Sequence, residues 1–402
     1  MRDLSAVIMA AGQGTRMRSR LVKVLQPLVG LPIIVHLVEL CRRVGVKRTI
    51  IVVGHQADRV KQALAELANG VEFVLQGEQR GTAHAVLQAE EALRGTSGEV
   101  LVLSGDTPLL TRALVERLLD AHLRTGAQVT SVTARLEDPT RYGRVIRDAA
   151  GNFLRVIEEV EATDEQRTVQ EINAGVYCFS GPPLFRALHQ VRPSRVKREL
   201  YLPEVLHIIQ QEGGMVGLFV TPDPREVLGI NTREELANAH AVLWRRAAIR
   251  WMDEGVTILE PETTHISPLA TIGLDTILYP NVYLEGRTTI GEDCVIYPGC
   301  RIRNSHLGNR VTVLDGCVIL DSEIADECTL GPSAHLRPRT RLMRKVKVGN
   351  FVEAKKSVIC ADLKVPPLTY VGDATHGDRV NVGAETITCK YDSFAKHPTI
   401  IE

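Results

Sequence analysis

The sequence predicts an α/β protein built in two parts. A mainly parallel sheet covered by helices is expected over residues 1–231 and a parallel β-helix over 256–402, with a joining helix across 232–255. Two periodicities and the chain length lead to this. The first part alternates apolar, β-branched runs with segments of helical period, as a parallel sheet with helices on both faces requires. From Ile266 onward, apolar residues recur every six positions, a period that suits neither a helix nor a flat strand. At 402 residues the chain is too long for one ordinary domain, and its 44% hydrophobic content lets two domains each bury a core.

In the first part, strands are expected at 6–9, 49–53, 71–75 and 99–103, each ending in glycine or a polar turn. Ile33, Leu37 and Leu40 share one helical face, and Val60, Leu64 and Leu67 share another. Segments 143–147 and 153–158 flank a turn at 149–152 and are expected to pair as a hairpin. Thr232 and Glu235 form a capping box that starts the joining helix, whose apolar stripe is Leu236, Ala239, Leu243 and Ala247.

In the second part, the six-residue series runs Ile266, Ile272, Leu278, Leu284, Ile290, Ile296, Ile302. It slips by one to Leu307, Val313 and Ile319, and again to Ile324, Leu330, Leu336, Leu342 and Val348. Each unit is one side of a triangular coil with its apolar residue inward, and Gly273, Gly291, Gly299, Gly308 and Gly331 mark turns.

Composition excludes several partners. The 48 basic residues balance 48 acidic ones, which leaves no basic footprint for a nucleic acid. No apolar run reaches the ~18 residues of a membrane helix, so no membrane insertion is expected. The apolar stretch after Met1 runs straight into a glycine loop and is therefore a first strand rather than a signal peptide. The eight cysteines contain no CxxC pair. They are expected to be small buried apolar residues of a reduced, cytoplasmic protein, not zinc ligands or disulfides.

In doubly wound sheets, ligands bind beyond the carboxyl ends of the strands, which directs attention to the loops after Met9 and Leu103. Gly12 and Gly14 let the backbone approach a ligand and present N–H groups to phosphates, with Arg16 and Lys23 as nearby cations. By spacing alone this segment is equally a structural tight turn. Asp106 can bind a hard cation through oxygen, or cap the next turn. The capping box leaves the Asn231 side chain free, and its amide oxygen suits magnesium as a second ligand. Gln76 can offer a donor and an acceptor to a base edge, and Gly81 lets the backbone touch a planar ring.

The stretches AAGQGTRM, LQGEQRGTAHA, SGDTPLL, DPTRYGRV, ATDEQR, QEINAGVY, LYLPEV and LGIN together resemble the Rossmann-like sugar-1-phosphate nucleotidylyltransferases. More closely, the chain resembles the bacterial bifunctional family that joins N-acetylglucosamine-1-phosphate uridylyltransferase to glucosamine-1-phosphate N-acetyltransferase, from residue 5 to its end. The resemblance implies a cell-wall precursor enzyme that uses UTP, N-acetylglucosamine-1-phosphate and Mg2+. It implies that Met9, Ala10, Ala11, Gly12, Ser104 and Gly105 line the nucleotide. Arg16 and Lys23 would hold phosphates, and Gln76, Gly81 and Thr82 would read uracil. Asp106 and Asn231 would bind magnesium, and Gly143, Glu158 and Asn173 the sugar. Val22 departs from the family's proline, and Leu31 and Val160 from its lysines.

For the second part the resemblance implies a left-handed β-helix, a homotrimer, and contacts of Arg337, Lys355, Tyr370, Asn381 and Tyr391 with an amino-sugar phosphate. Glucosamine-1-phosphate and acetyl-CoA would be its substrates. The family's general base, however, is a histidine where this chain has Pro367, and the family continues beyond Glu402 through coils that bind acetyl-CoA. Glu385 replaces a turn glycine, and His376 lies in a turn where the family has an aliphatic core residue. Impaired acetyl transfer on an incomplete β-helix is expected. The alternatives are another sugar-1-phosphate nucleotidylyltransferase, or an inactive trimeric scaffold.

Overall fold

The computed structural model describes residues 3–401 except Ser97, Asp378, Arg379, Asn381, Lys390 and Lys396. The chain divides into two units, Met1–Ala239 and His240–Glu402.

The first unit is built on strands β1 (Leu4–Ala10), β2 (Arg48–Val53), β3 (Val71–Leu75), β4 (Glu99–Ser104), β5 (Val129–Arg135), β6 (Arg144–Arg147), β7 (Phe153–Ile157), β8 (Glu171–Ser180) and β9 (Val216–Val220). Their order is β9-β5-β8-β4-β1-β2-β3, with the β6–β7 hairpin attached to β8. The central strands read as unbroken apolar runs because both faces are covered, and Ala6, Val7 and Ile8 are all buried. β1 runs parallel to β4, with Met9 opposite Ser104, so the loops that follow them open side by side. β8 runs antiparallel to β4 and β5.

Helix α1 (Ile33–Val44) buries Ile33, Leu37 and Leu40 and ends on Gly45 in the left-handed region that favours glycine. In α2 (Ala57–Leu67), Val60 and Leu64 are buried, but Leu67 is 39% exposed. The expected face stops one turn early, because the chain leaves the helix and Ala68 takes the inward place. Helices α3 (Thr82–Leu87) and α4 (Arg112–Thr125) follow. In α5 (Arg233–Asp253) the capping box is present: Thr232 Oγ1 accepts the Glu235 N–H at 3.2 Å, and Glu235 Oε2 accepts the Thr232 N–H at 2.9 Å. Its stripe departs from expectation. Leu236 and Ala239 are buried, but Leu243 and Ala247 are half-buried, and Ala248 and Trp251 carry the inward face instead. The face rotates along the helix, whose first turns fall in the first unit while Ala248 and Trp251 join the core of the second.

The second unit is a β-helix of three parallel sheets. They run from Thr257–Ile258 to Lys364–Val365, from His265–Ile266 to Tyr370–Gly372, and from Thr271–Ile272 to Thr399–Ile401. Every residue of the six-residue series from Ile266 to Val348 is buried. The two slips are coils one residue shorter: Ile290 stacks on Leu307 and Leu307 on Ile324, 17 residues apart, where Ile272 stacks on Ile290 at 18. Three of the expected turn glycines answer to packing rather than to backbone angle. A Cβ on Gly273 would meet Gly291, one on Gly291 would meet Gly308, and one on Gly308 would meet Asp326, all within 2.6 Å. Six cysteines are buried, whereas Cys360 is half-buried and Cys389 exposed, which corrects the expectation of uniformly buried thiols.

Candidate active site

Two adjoining clefts open at the carboxyl ends of β1 and β4. The first, of about 300 Å3, is lined by Met9, Ala10, Ala11, Gly12, Gln76, Gly81, Thr82, Ser104 and Gly105, with Lys23 and Asp106. The second, of about 220 Å3, takes in Arg16, Gly143, Glu158, Asn173 and Asn231. Met9, Thr82, Ser104 and Asp106 line both. Residues from seven separate segments of sequence thus come together.

At the junction, Lys23 Nζ sits 2.5 Å from Asp106 Oδ2 and 2.9 Å from Asn231 Oδ1. Arg16 Nη2 donates to the same Asn231 oxygen at 2.8 Å. Asn231 was expected to be free; it is the acceptor that ties two cations together. Gly14 makes this possible. It has φ +65, and a Cβ there would lie 2.5 Å from Lys23 Cβ. Of the two loop glycines, only Gly12 is open, with nothing within 4 Å of a Cβ. Val22 is buried and anchors the short turn that carries Lys23.

The lining side chains are already engaged. Gln76 is buried, and its Nε2 contacts Gly81 O at 3.1 Å and His84 Nδ1 at 3.0 Å, so a new donor bond from that nitrogen must displace one of them. Gly81 has φ +111, and a Cβ would strike the Leu200 backbone at 2.5 Å, which only glycine tolerates. Asn173 donates to Tyr177 Oη at 2.7 Å and accepts from Ser131 at 3.2 Å. Burial pushes the Glu158 carboxyl above the usual range, against the pull of Lys197, with Glu161 and Glu199 adding to the rise.

Residue-by-residue sequence reading missed several lining groups. Gln79 donates to Ala11 O at 2.7 Å. Tyr142 Oη accepts the Gly229 N–H at 3.3 Å, and burial raises its phenol. Arg141, Tyr177, Glu199, Leu202 and Pro203 are among the others. Most lie inside the stretches quoted above, which was the available signal.

Among the described residues, one group of three metal-capable side chains stands elsewhere: Glu99, His122 and Cys178. It lies at the opposite end of β4, and its histidine is paired internally with Glu99 at 2.9 Å and Thr130 at 3.0 Å.

On the β-helix, Lys355 and Tyr370 lie in neighbouring strands of one sheet and Arg337 directly follows the next strand, His335–Leu336, with inward Leu336, Ala354 and Val371 adjacent to them in the chain. Arg337 donates to Glu353 at 2.8 Å. Tyr391 is exposed and donates to Ser393 O at 3.0 Å. Asn381 lies outside the described residues. Pro367 is exposed at a coil corner. Glu385 holds φ 60 at the equivalent corner one coil on, a position that favours glycine. His376 is not in a turn. It ends the strand Ala374–His376, fully buried, stacked between Ile359 and Ile401.

Fold and site together define a nucleotidyltransferase. Residues 6–214 match the MobA-like NTP transferase domain family, and 261–366 the GMPPB C-terminal domain family. The chain is 47% identical over 402 residues to the Bifunctional protein GlmU of Heliobacterium modesticaldum, covering 100% of this chain and 87% of that protein. It is 47% identical over 399 residues to the namesake from Pelotomaculum thermopropionicum (99% and 86% covered) and 45% over 397 to that of Shouchella clausii (99% and 87%). The chain belongs to the bifunctional GlmU family, as the resemblance implied, and to its sugar-1-phosphate nucleotidyl transfer chemistry.

Proposed function

We propose that the first unit transfers uridylyl from UTP to N-acetylglucosamine-1-phosphate, yielding UDP-N-acetylglucosamine and pyrophosphate, in the cytoplasm and as a homotrimer. The observation that supports it is the division of the clefts: the nucleotide candidates line one lobe, the sugar candidates the other, and both meet at Asp106. A sugar-phosphate oxygen in the second lobe attacks the α-phosphorus held in the first. A P–O bond forms and the bond to pyrophosphate breaks, with no enzyme-bound intermediate.

Lys23 and Arg16, released from Asp106 and Asn231, neutralise the charge that moves onto the leaving pyrophosphate. Holding two substrates in adjoining lobes supplies proximity, for which ~7–11 kcal/mol is available in principle. Asp106 and Asn231 fit a hard cation, since their side-chain oxygens already converge on one ammonium at 2.5 and 2.9 Å. Magnesium held there would add charge neutralisation at the phosphates.

Acetyl transfer is impaired in this reading. Pro367 offers no proton acceptor, and the buried His376 faces the coil interior rather than a substrate. Loss of a general base typically removes ~10²–10⁴ in rate.

The test is pyrophosphate release from UTP and N-acetylglucosamine-1-phosphate with magnesium. Asp106→Asn serves as control, and a parallel mixture contains glucosamine-1-phosphate, acetyl-CoA and UTP. Release in the first mixture alone, lost in the variant, is expected. Release in both mixtures would overturn the reading of the second unit, and silence in both would overturn that of the first.

A further inference from the structure

One of the largest fully buried side chains of the molecule is a cation, Arg144, at 1% exposure. It lines neither cleft. It sits in β6, opposite Ile157 of β7 and Ile172 of β8. Each of these three residues has a sugar-lobe neighbour: Gly143, Glu158 and Asn173. Alternate residues of a strand face opposite sides, so Arg144 stands behind the wall that Gly143 fronts.

Its guanidinium reaches three segments. Nη2 pairs with Glu159 Oε2 at 2.6 Å, Nη1 donates to the Tyr142 carbonyl, and Nε donates to the Arg167 carbonyl at 3.4 Å. Arg141, two residues before Gly143, holds φ 76, a left-handed conformation disfavoured for a side chain of its size. Such strain persists only where the surroundings over-determine it.

We propose that Arg144 is the positioning residue of the sugar lobe, clamping Tyr142 and Gly143 against the segment that carries Glu158. It touches no substrate. A lysine could keep the charge pairing with Glu159 but not the planar fork that reaches two further carbonyls. The identity of the sugar rests on the uridylyltransferase reading; the positioning role does not.

The experiment measures KM for each substrate, kcat and thermal melting for Arg144→Met, Arg144→Lys and Glu159→Gln. Arg144→Met is expected to raise the sugar-phosphate KM about tenfold or more, with the UTP KM within about twofold, because misplacing a positioning contact acts on the substrate it orients. Arg144→Lys should fall between Met and wild type. Glu159→Gln should shift the same KM less, since both carbonyl contacts remain.

A sugar-phosphate KM unchanged in a folded Arg144 variant overturns the proposal. So does an equal rise in both KM values, or a fall in kcat alone alongside lowered melting. If Arg144→Met does not fold, the other two variants decide by the same split. Wild-type turnover with a different sugar phosphate would sink the substrate reading, and Arg144 would then be judged on that substrate's KM. Without turnover, calorimetric affinities for UDP-N-acetylglucosamine and UDP replace the kinetics. A variant that weakens only the former supports the role, and wild type that binds neither overturns both.

Discussion

The clefts of the first unit and the outward face of the β-helix are assembled by opposite principles. The clefts gather side chains from far apart in sequence: Lys23 meets Asn231 across 208 positions, and Arg16 meets it across 215. On the β-helix, neighbours in space are one coil apart, as Arg337 and Glu353 are at 16 positions. In the clefts, functional candidates are also structural. Lys23 packs on Gly14, and a Cβ at Gly105 would lie 2.5 Å from Met9 O. In the β-helix, the inward residues carry the stack, and Pro367 lies exposed at a coil corner outside it. A β-helix can therefore lose an activity silently, whereas erosion of the clefts would disturb the sheet that carries them.

The strongest break of this comparison is Lys23→Ala. Removing a cation aimed at developing phosphate charge is expected to lower kcat by about 10³-fold, in the range typical of such donors. Pyrophosphate release measures it. A loss below about tenfold would make the Lys23–Asp106 pair a structural contact, and the cleft would then resemble the β-helix in separating fold from chemistry.

The β-helix offers the reverse test, a change of its inward register. Among the described residues, neither ring nitrogen of His376 has a hydrogen-bond partner. Burial holds its pKa below the ordinary histidine value. The neutral ring is therefore favoured in the folded state, while the unfolded chain protonates near the ordinary value of about 6.5. Stability is full above that pH and falls as pH drops toward the lowered folded value. His376→Ile is expected to stabilise the β-helix by about 1–3 kcal/mol at neutral pH, the usual cost of a buried unpaired polar group. The gain should grow between pH 6.5 and 5. Melting of the variant and of wild type across that range checks it; equal acid sensitivity in both would mean that His376 finds a partner in the folded protein.

How much was legible in the sequence follows the same division. The six-residue period located one inward residue in each unit from Ile266 to Val348 and both short coils, because in a β-helix stacking is local; it did not mark the second buried position of the units, such as Val282, Cys294 and Val311. It did not show that His376 lies inward: strand and turn alternate every few residues there, and one residue decides the face. In the first unit, strands and capping box were legible, but Leu67 there, and Leu243 of the joining helix just inside the second unit, were misplaced because helical period does not tell where packing stops. The quoted motifs named segments that line the clefts. They could not show that Asn231 is engaged by Lys23 and Arg16, nor that Arg144 lies behind the second cleft. Those contacts depend on loop conformations set by Gly14 at φ +65 and Arg141 at φ 76.

The smallest expected effect sharpens the picture within the cleft itself. Glu158 is half-buried, and desolvation holds its carboxyl above the usual range. Above that raised pKa it is an acceptor-only carboxylate that can take a hydrogen bond from a sugar hydroxyl. As pH falls through it, the group becomes neutral and the contact weakens by about 1 kcal/mol, roughly fivefold in affinity. The sugar phosphate has a titration of its own near pH 6, so wild type alone is ambiguous. Glu158→Gln carries no charge at any pH and shares the substrate's titration. The ratio of the variant's sugar KM to that of wild type is therefore expected to be largest above neutrality. It should decline toward one at a pH higher than the ~4.3 of an ordinary glutamate would require. A ratio of one at every pH would place Glu158 outside the sugar contact and leave it as part of the wall.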